Sequence, residues 1–326
     1  MKRRSFIMGG AAALAMPAAV WAAARTYPSR PVRLIVPFAP GQGSDVLARA
    51  IGKRLYALWK QPVIVENRAG ANGTLAVNEV LKSGADGYTL LLTSNSPIVI
   101  NPSIYKHLSY NVQKDLKPVT LLSTTAVGLM VHPAFPARDI HELIQVMKRA
   151  PGKYSYGSIG VGSTSHLAME TFMRATGVRA VHVPYRGSSL AMTDLISGTI
   201  QLMFDGLPSS LPHVRSGRIR ALAISGAHPS QFLPGVPALG SIGVEGTPDG
   251  GWYGLMAAAG VSDAMVRQLN ADFAAVMREP EVEAQLPVLA MEAVAPQSPS
   301  GFADFIGRQT KYWDGVAHSL GIYRSV

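Results

Sequence analysis

Val32-Arg33-Leu34-Ile35-Val36-Pro37-Phe38 runs directly into Ala39-Pro40-Gly41-Gln42-Gly43-Ser44-Asp45, and beyond it Leu47, Ile51, Leu55 and Leu58 recur at spacings of four, four and three. An apolar, β-branched run reads as a buried strand, a Gly/Pro cluster as a turn, and that spacing as one face of a helix. The turn carries the chemical interest. A helix starts with N–H groups that have no intrahelical acceptor and with the positive end of its dipole, so an anion is held there without a charged side chain.

Outward from this unit the alternation continues. Strands are expected at Val63 to Glu66 and Tyr88 to Thr93, with a helix at Thr74 to Lys82 between them. The rhythm restarts at Val127 to Val131, with a helix over Ile140 to Arg149, a strand over Tyr154 to Gly157, and a second glycine turn, Gly157-Ser158-Ile159-Gly160-Val161-Gly162-Ser163-Thr164-Ser165-His166. Strands at Ala180 to Val183, Gln201 to Phe204 and Ile219 to Ser225 follow, then a Gly/Pro-rich passage from Pro234 to Gly251. The apolar segment Trp252 to Ala259 comes next, then a helix with Val266, Leu269, Phe273 and Val276 on one face, and a last helix near Phe302 to Leu320. This is the pattern of an α/β fold with largely parallel sheet. About 300 mature residues exceed one ordinary core, so two lobes are expected. Residues 25–124 with 252–326 form the first, residues 125–251 the second, and the Gly/Pro passage is the return crossing.

The chemistry the sequence can carry is narrow. There is no cysteine, which removes disulfides, thiolate metal sites and cysteine nucleophiles. Gly41-Gln42-Gly43 with Glu66 further on has the outline of a dinucleotide fingerprint, but Val46 stands where the third glycine belongs and Asp45 would repel a pyrophosphate. Tyr156-Gly157-Ser158-Ile159-Gly160 lacks the leading glycine of a nucleophile elbow, and His141-Glu142 is followed by Gln145 where a zinc ligand is required. Neither a cofactor nor a metal is expected. The formal charge of +10 favours anionic partners. Lysine and arginine are nevertheless scattered, without the basic blocks of a nucleic-acid binder.

Lys2-Arg3-Arg4, the apolar run Phe6 to Val20 and Ala22-Ala23-Ala24 read as a cleavable export leader over residues 1–24, with the paired arginines resembling a twin-arginine signal. Polar groups gather at strand ends in Thr93-Ser94-Asn95, Tyr185-Arg186-Gly187 and Phe204-Asp205-Gly206. In open α/β sheets ligands sit at the carboxyl ends of strands. Arg186 is placed to pair with a second carboxylate, and Asp205 to accept a hydrogen bond from an ammonium or a water.

Taken together, Tyr27-Pro28-Ser29-Arg30-Pro31-Val32, Pro37 to Asp45, Glu66-Asn67-Arg68-Ala69-Gly70-Ala71, Asp86 to Leu90, Tyr156 to Ser163 with His166-Leu167, and His182 to Gly187 resemble the Bug family, the substrate-binding receptors of tripartite tricarboxylate transporters. The resemblance implies a type II periplasmic-binding-protein fold, two α/β lobes with a ligand cleft between them and two crossings. It also implies a periplasmic protein without catalytic activity, monomeric, holding a small carboxylate. Its partners would be the membrane permease subunits of a tripartite carrier, or a sensor that reads the closed form. Transferred residue by residue, the ligand positions are Gly41, Gln42, Gly43, Ser44, Asp45, Ser94, Gly160, Val161, Gly162, Ser163, His166 and Asp205. The chain departs from the family pattern at Gln42, where glycine is usual. A positive φ there would strain glutamine; otherwise its side chain enters the pocket.

Overall fold

The computed structural model describes residues 27–325; the leader read over residues 1–24 lies outside the described residues. Eleven strands are present among the described residues: β1 Val32–Val36, β2 Val63–Asn67, β3 Thr89–Ser94, β4 Leu116–Thr125, β5 Val127–Val131, β6 Ser155–Ser158, β7 Val181–Pro184, β8 Leu202–Gly206, β9 Arg220–Ile224, β10 Gly251–Ala258 and β11 Met291–Ala293. They form two sheets, ordered β11-β4-β10-β3-β1-β2 and β7-β6-β8-β5-β9. Each sheet carries helices on its faces, giving the two-lobed α/β architecture.

The sheets are mixed, which corrects the expectation of largely parallel strands. β1 is parallel to β2 and β3, and β6 to β7 and β8. β10, in contrast, enters antiparallel between β3 and β4, and β5 enters antiparallel between β8 and β9. Both antiparallel insertions follow directly after a passage of the chain between sheets. β4 ends at Thr125 and β5 begins at Val127, while β9 leads through residues 225–250 into β10. A strand arriving from the other lobe has no crossover helix to reverse it, so it pairs antiparallel to its neighbours.

The helix Gly43–Trp59 buries Leu47, Ala48, Ile51, Leu55 and Trp59 against the first sheet. Leu58, expected on that face, is 50% exposed. A strict spacing of four continues the stripe to Trp59, whose indole N–H donates to Asp272 Oδ2 at 2.8 Å. Two elements lay hidden behind prolines. β4 contains Pro118, tolerated because the ladder to β10 shifts register between Leu255 and Met256, where Met256 opposes the proline. The helix Leu207–Arg215 holds Pro208 in its first turn, where the N–H is unpaired anyway, and Pro212 further in.

Each sheet has apolar packing on both faces. In the first lobe Leu34, Leu47, Ile51 and Phe273 lie on one side and Ile35, Val77, Ile104 and Phe302 on the other. In the second, Leu129, Tyr156, Phe172 and Phe204 lie on one side and Met130, Leu195, Met203 and Leu211 on the other. Leu167, on the second lobe's helix Thr164–Thr176, packs into the cluster that contains Ile104, so the lobes touch through apolar surface.

Candidate functional site

The first glycine turn is held by its own side chains. Gly41 has φ 81 and Gln42 follows with φ −77 and ψ 162 as the residue preceding the helix. Gln42 therefore needs no positive φ, and glutamine is unstrained there. Asp45, in the first helical turn, accepts the Gly41 N–H at 2.9 Å and pairs with Arg49 at 2.9 Å. Burial opposes its ionisation, but the bonds from Arg49 and the Gly41 N–H prevail and hold the carboxyl below its ordinary value. Asp45 thus shapes the turn from inside the first helical turn, while Gln42 holds the N-cap position without a side-chain capping bond. The N–H groups of Gly43 and Ser44, first and second in the helix, make no hydrogen bond to a protein acceptor among the described residues.

The second turn follows the same logic with different residues. Ser163 is the N-cap: its hydroxyl oxygen accepts the His166 N–H at 3.3 Å and its O–H donates to Gly160 O at 2.6 Å. The Ile159 N–H donates to Ser165 Oγ at 3.0 Å, the Gly160 N–H to Ser158 Oγ at 3.2 Å, and the Gly162 N–H to His166 Nδ1 at 3.1 Å. These amides are consumed in building the turn. Those of Thr164 and Ser165 make no such bond among the described residues.

His166 stacks on His182 with ring centroids 4.2 Å apart, and His182 stacks on Tyr156 at 4.8 Å. Burial pushes both imidazoles down to about 4. His166 is therefore neutral at pH 7 and keeps the lone pair that receives the Gly162 N–H.

The two helix starts open on one cavity. Gln42, Gly43 and Ser44 line it from the first lobe and Thr164 and Ser165 from the second. Ser94, Asn95 and Ser96 close it at the end of β3, Ser188 after β7, Asp205 and Gly206 at the end of β8, and Trp252 and Tyr253 from β10. It measures about 640 Å³ with its mouth included. Asn95 also ties the return crossing in place, donating to Gly250 O at 3.2 Å and accepting the Trp252 N–H at 2.9 Å.

Asp205 is 3% exposed and accepts the Ser188 hydroxyl at 2.7 Å. Burial pushes its carboxyl up to about 7, against the pull of Ser188, the Gly206 N–H and Ser209. The Gln42 side-chain amide is buried at the cavity wall with its Nε2 unpartnered.

The remaining residues singled out in the sequence divide in two. Gly160, Val161 and Arg186 border a neighbouring depression together with Asn72, Tyr105 and Tyr185. Gly41, Asp45, Gly162, Ser163 and His166 border neither space and instead hold the turns in shape. Asn95, named with the polar groups at strand ends, lines the cavity; Thr164, Ser165, Ser188 and Tyr253 line it too and were not among the expected ligand positions. For Thr164 and Ser165 a signal existed: once Ser163 is read as the N-cap, the next two residues carry the unpaired amides.

Close approach between lobes explains why two of the turn positions are glycine. A Cβ on Gly43 would lie 2.7 Å from Tyr253 Oη and 2.8 Å from Pro208 Cβ. A Cβ on Gly162 would lie 1.8 Å from Ile104 Cδ1. Beside this second contact, Asn72 Nδ2 donates to Gly162 O at 3.2 Å across the cleft.

Known proteins resemble this chain over most of its length. The family model described as the tripartite tricarboxylate transporter family receptor matches residues 47–322. Protein BugT of Bordetella pertussis (strain Tohama I) is 35% identical over 301 residues, 91% of either chain. The solved structure of Rpa4515 from R. palustris with adipate superposes with a TM-score of 0.87 at 32% identity, covering 91% of this chain and 99% of that one. MatC from Rhodopseudomonas palustris with bound malate superposes with a TM-score of 0.83 at 28% identity, covering 89% and 99%.

Proposed function

The chain belongs to the tripartite tricarboxylate transporter receptor family, the Bug proteins, and from that premise we propose that it is an exported solute-binding protein that captures a small carboxylate by closing its two lobes. The observation that carries this reading is the convergence of two helix starts on one cavity, with the amides of Gly43, Ser44, Thr164 and Ser165 unpaired. Each helix start favours an anion by roughly 0.3–1 kcal/mol at a surface and up to about 2 kcal/mol when partly buried. Hydrogen bonds to a charged acceptor add about 1.5–3 kcal/mol each. Since the two pairs belong to different lobes, a carboxylate gains the full set only in the closed form. Binding therefore shifts the population toward closure.

In this reading Gln42, Gly43, Ser44, Ser94, Thr164, Ser165 and Asp205 face the ligand, while Gly41, Asp45, Gly160 to Ser163 and His166 keep the amides aimed. Residues 25–124 with 252–326 and residues 125–251 are the bodies that move. The leader of residues 1–24 sends the protein to the periplasm, and the closed form delivers its solute to the membrane subunits of a tripartite carrier. Adipate in one relative and malate in another point to small organic acids as the class. Capture without chemistry fits the one Ser–His side-chain contact near the site among the described residues. Ser158 Oγ lies 2.7 Å from His182 Nε2, yet Ser158 is fully buried, away from the cavity wall, and tied to Gly160.

A calorimetric and thermal-shift screen tests the proposal with mono-, di- and tricarboxylates, acidic amino acids, sugars and cations. One or more carboxylates should bind saturably and raise the melting temperature without being consumed. Stabilisation by sugars or cations alone would overturn it.

A further inference from the structure

Four successive residues, Gly70, Ala71, Asn72 and Gly73, have positive φ, at 134, 46, 50 and 88. Two of them carry a Cβ, and the left-handed region is sparsely populated by residues other than glycine, asparagine being among the best tolerated. A run of this kind persists only where its surroundings over-determine it, and it points to function. Here two buried residues of the first lobe hold it. Asn101, fully buried, accepts the Asn72 side-chain amide on Oδ1 at 2.6 Å and donates from Nδ2 to the Asn72 carbonyl at 3.1 Å. The same Nδ2 reaches Tyr110 Oη at 3.3 Å, and the Tyr110 hydroxyl donates to Pro97 O.

Held in this way, Asn72 reaches out of its own lobe. Its Nδ2 also donates to Gly162 O at 3.2 Å. Both partners of Nδ2 are oxygens, so the amide sits in one orientation only; turned over, its Oδ1 would face two acceptors. On the far side, the Gly162 N–H is taken by His166 Nδ1, and the N-cap Ser163 with Thr164 and Ser165 follows at once. Asn72 itself does not line the inner cavity.

We propose that Asn72 is a latch on the closed form: a positioning residue that sets how long a bound acid stays, by fastening the second glycine turn while the amides of Thr164 and Ser165 hold the solute. This rests on the capture reading above and concerns the lifetime of the complex, not the identity of the acid. With the lobes apart, Asn72 and Gly162 are apart too, so the encounter with solute is indifferent to their bond. The bond forms once the solute is in place and must break before it leaves. Its removal therefore acts on dissociation and spares association.

The test screens malate, adipate, glutamate and benzoate by calorimetry on the wild-type protein. Stopped-flow tryptophan fluorescence, with Trp252 at the cavity wall, then follows association and dissociation of whichever of these binds most tightly. Two variants are compared, with melting temperatures recorded to show that they fold. Asn72→Gly accepts the left-handed backbone without a side chain. Asn72→Asp keeps the shape but turns an oxygen toward Asn101 Oδ1 and Gly162 O. Asn72→Gly should release the acid roughly three- to tenfold faster, the worth of one neutral hydrogen bond, with the association rate unchanged. Asn72→Asp should release it at least as fast. A residue that only kept its own loop in shape would lower the melting temperature of the free protein and leave dissociation alone, and Asn72→Asp would then release like wild type. Dissociation at the wild-type rate in both variants, or a loss of affinity carried wholly by association, would overturn the latch and leave capture standing. Failure of all four acids to bind the wild-type protein would remove the capture reading and the latch with it.

Discussion

Gly162, in the second lobe, stands so close to Ile104 in the first that a Cβ on the glycine would fall 1.8 Å from the isoleucine Cδ1. The contact exists only while the lobes are together, and the Asn72 amide donates to Gly162 O beside it. Gly162→Ala therefore penalises closure. It also costs about 1–2 kcal/mol of folding stability, because φ is 73 at that position. Trimming Ile104 to Val removes Cδ1 and costs about 0.5–1.5 kcal/mol on its own. Carboxylate affinity should fall by about tenfold or more in Gly162→Ala and recover in part in the double variant, although the double variant is the less stable protein. Equal affinity in the single and double variants would show that the contact does not govern closure.

The stacked histidines predict a specific acid response. An unfolded histidine titrates near 6.5, while burial pushes His166 and His182 down to about 4. Between those values the unfolded chain binds more protons, so stability is complete above about pH 6.5 and falls as the pH drops toward 4. Tyr156, Ser158 and Glu170 are the polar neighbours of the pair, and Glu170 lies 3.8 Å from His166 Nε2. Urea unfolding at several pH values should show this slope, and His166→Asn should flatten it. A slope equal to wild type in that variant contradicts the assignment.

Asp205 ties ligand binding to pH. With its carboxyl near 7 and its side chain at the cavity wall, a bound anion disfavours its ionised form and raises its pKa further. Binding should then take up protons, and affinity should decline as the pH rises from about 6 to 8. Calorimetry in phosphate and in Tris measures the proton uptake directly. Asp205→Asn should abolish it; unchanged uptake in that variant would place the titrating group elsewhere.

Gln42 sets the width of the cavity. Its Nε2 approaches to 2.9 Å the place a Cβ on Gly187 would occupy, and it has no hydrogen-bond partner. Gln42→Ala should raise the affinity for benzoate relative to acetate by about threefold or more. The change in folding stability should stay within about 1 kcal/mol, since the loss of buried CH₂ groups is offset by removal of an unpaired amide. An unchanged ratio of the two acids would mean that the side chain leaves the cavity when ligand enters.

Much of this was legible before any coordinates. The spacing of Leu47, Ile51 and Leu55 placed the first helix, the boundaries of the helices Thr74–Lys82 and Ile140–Arg149 match the sequence reading, and the family motifs pointed to the fold. Prolines concealed β4 and the helix Leu207–Arg215, because local propensity argues against elements that a register shift or a helix's first turn can tolerate. At the site, a glycine turn announces itself in sequence, but which of its amides remain free does not. That depends on Asp45, Ser158, Ser163, Ser165 and His166 accepting the others. Thr164 and Ser165 could have been found by taking Ser163 as the N-cap, whereas Ser188 reaches the cavity only through its bond to Asp205 across the fold.

The central claim is that four main-chain amides, two from each lobe, grip one carboxylate. Amide resonances of ¹⁵N-labelled protein, followed while malate or adipate is added, test it most directly. The Gly43, Ser44, Thr164 and Ser165 signals should all shift strongly downfield and saturate together at the calorimetric affinity. Saturable binding that leaves those four resonances in place and moves others would contradict the account.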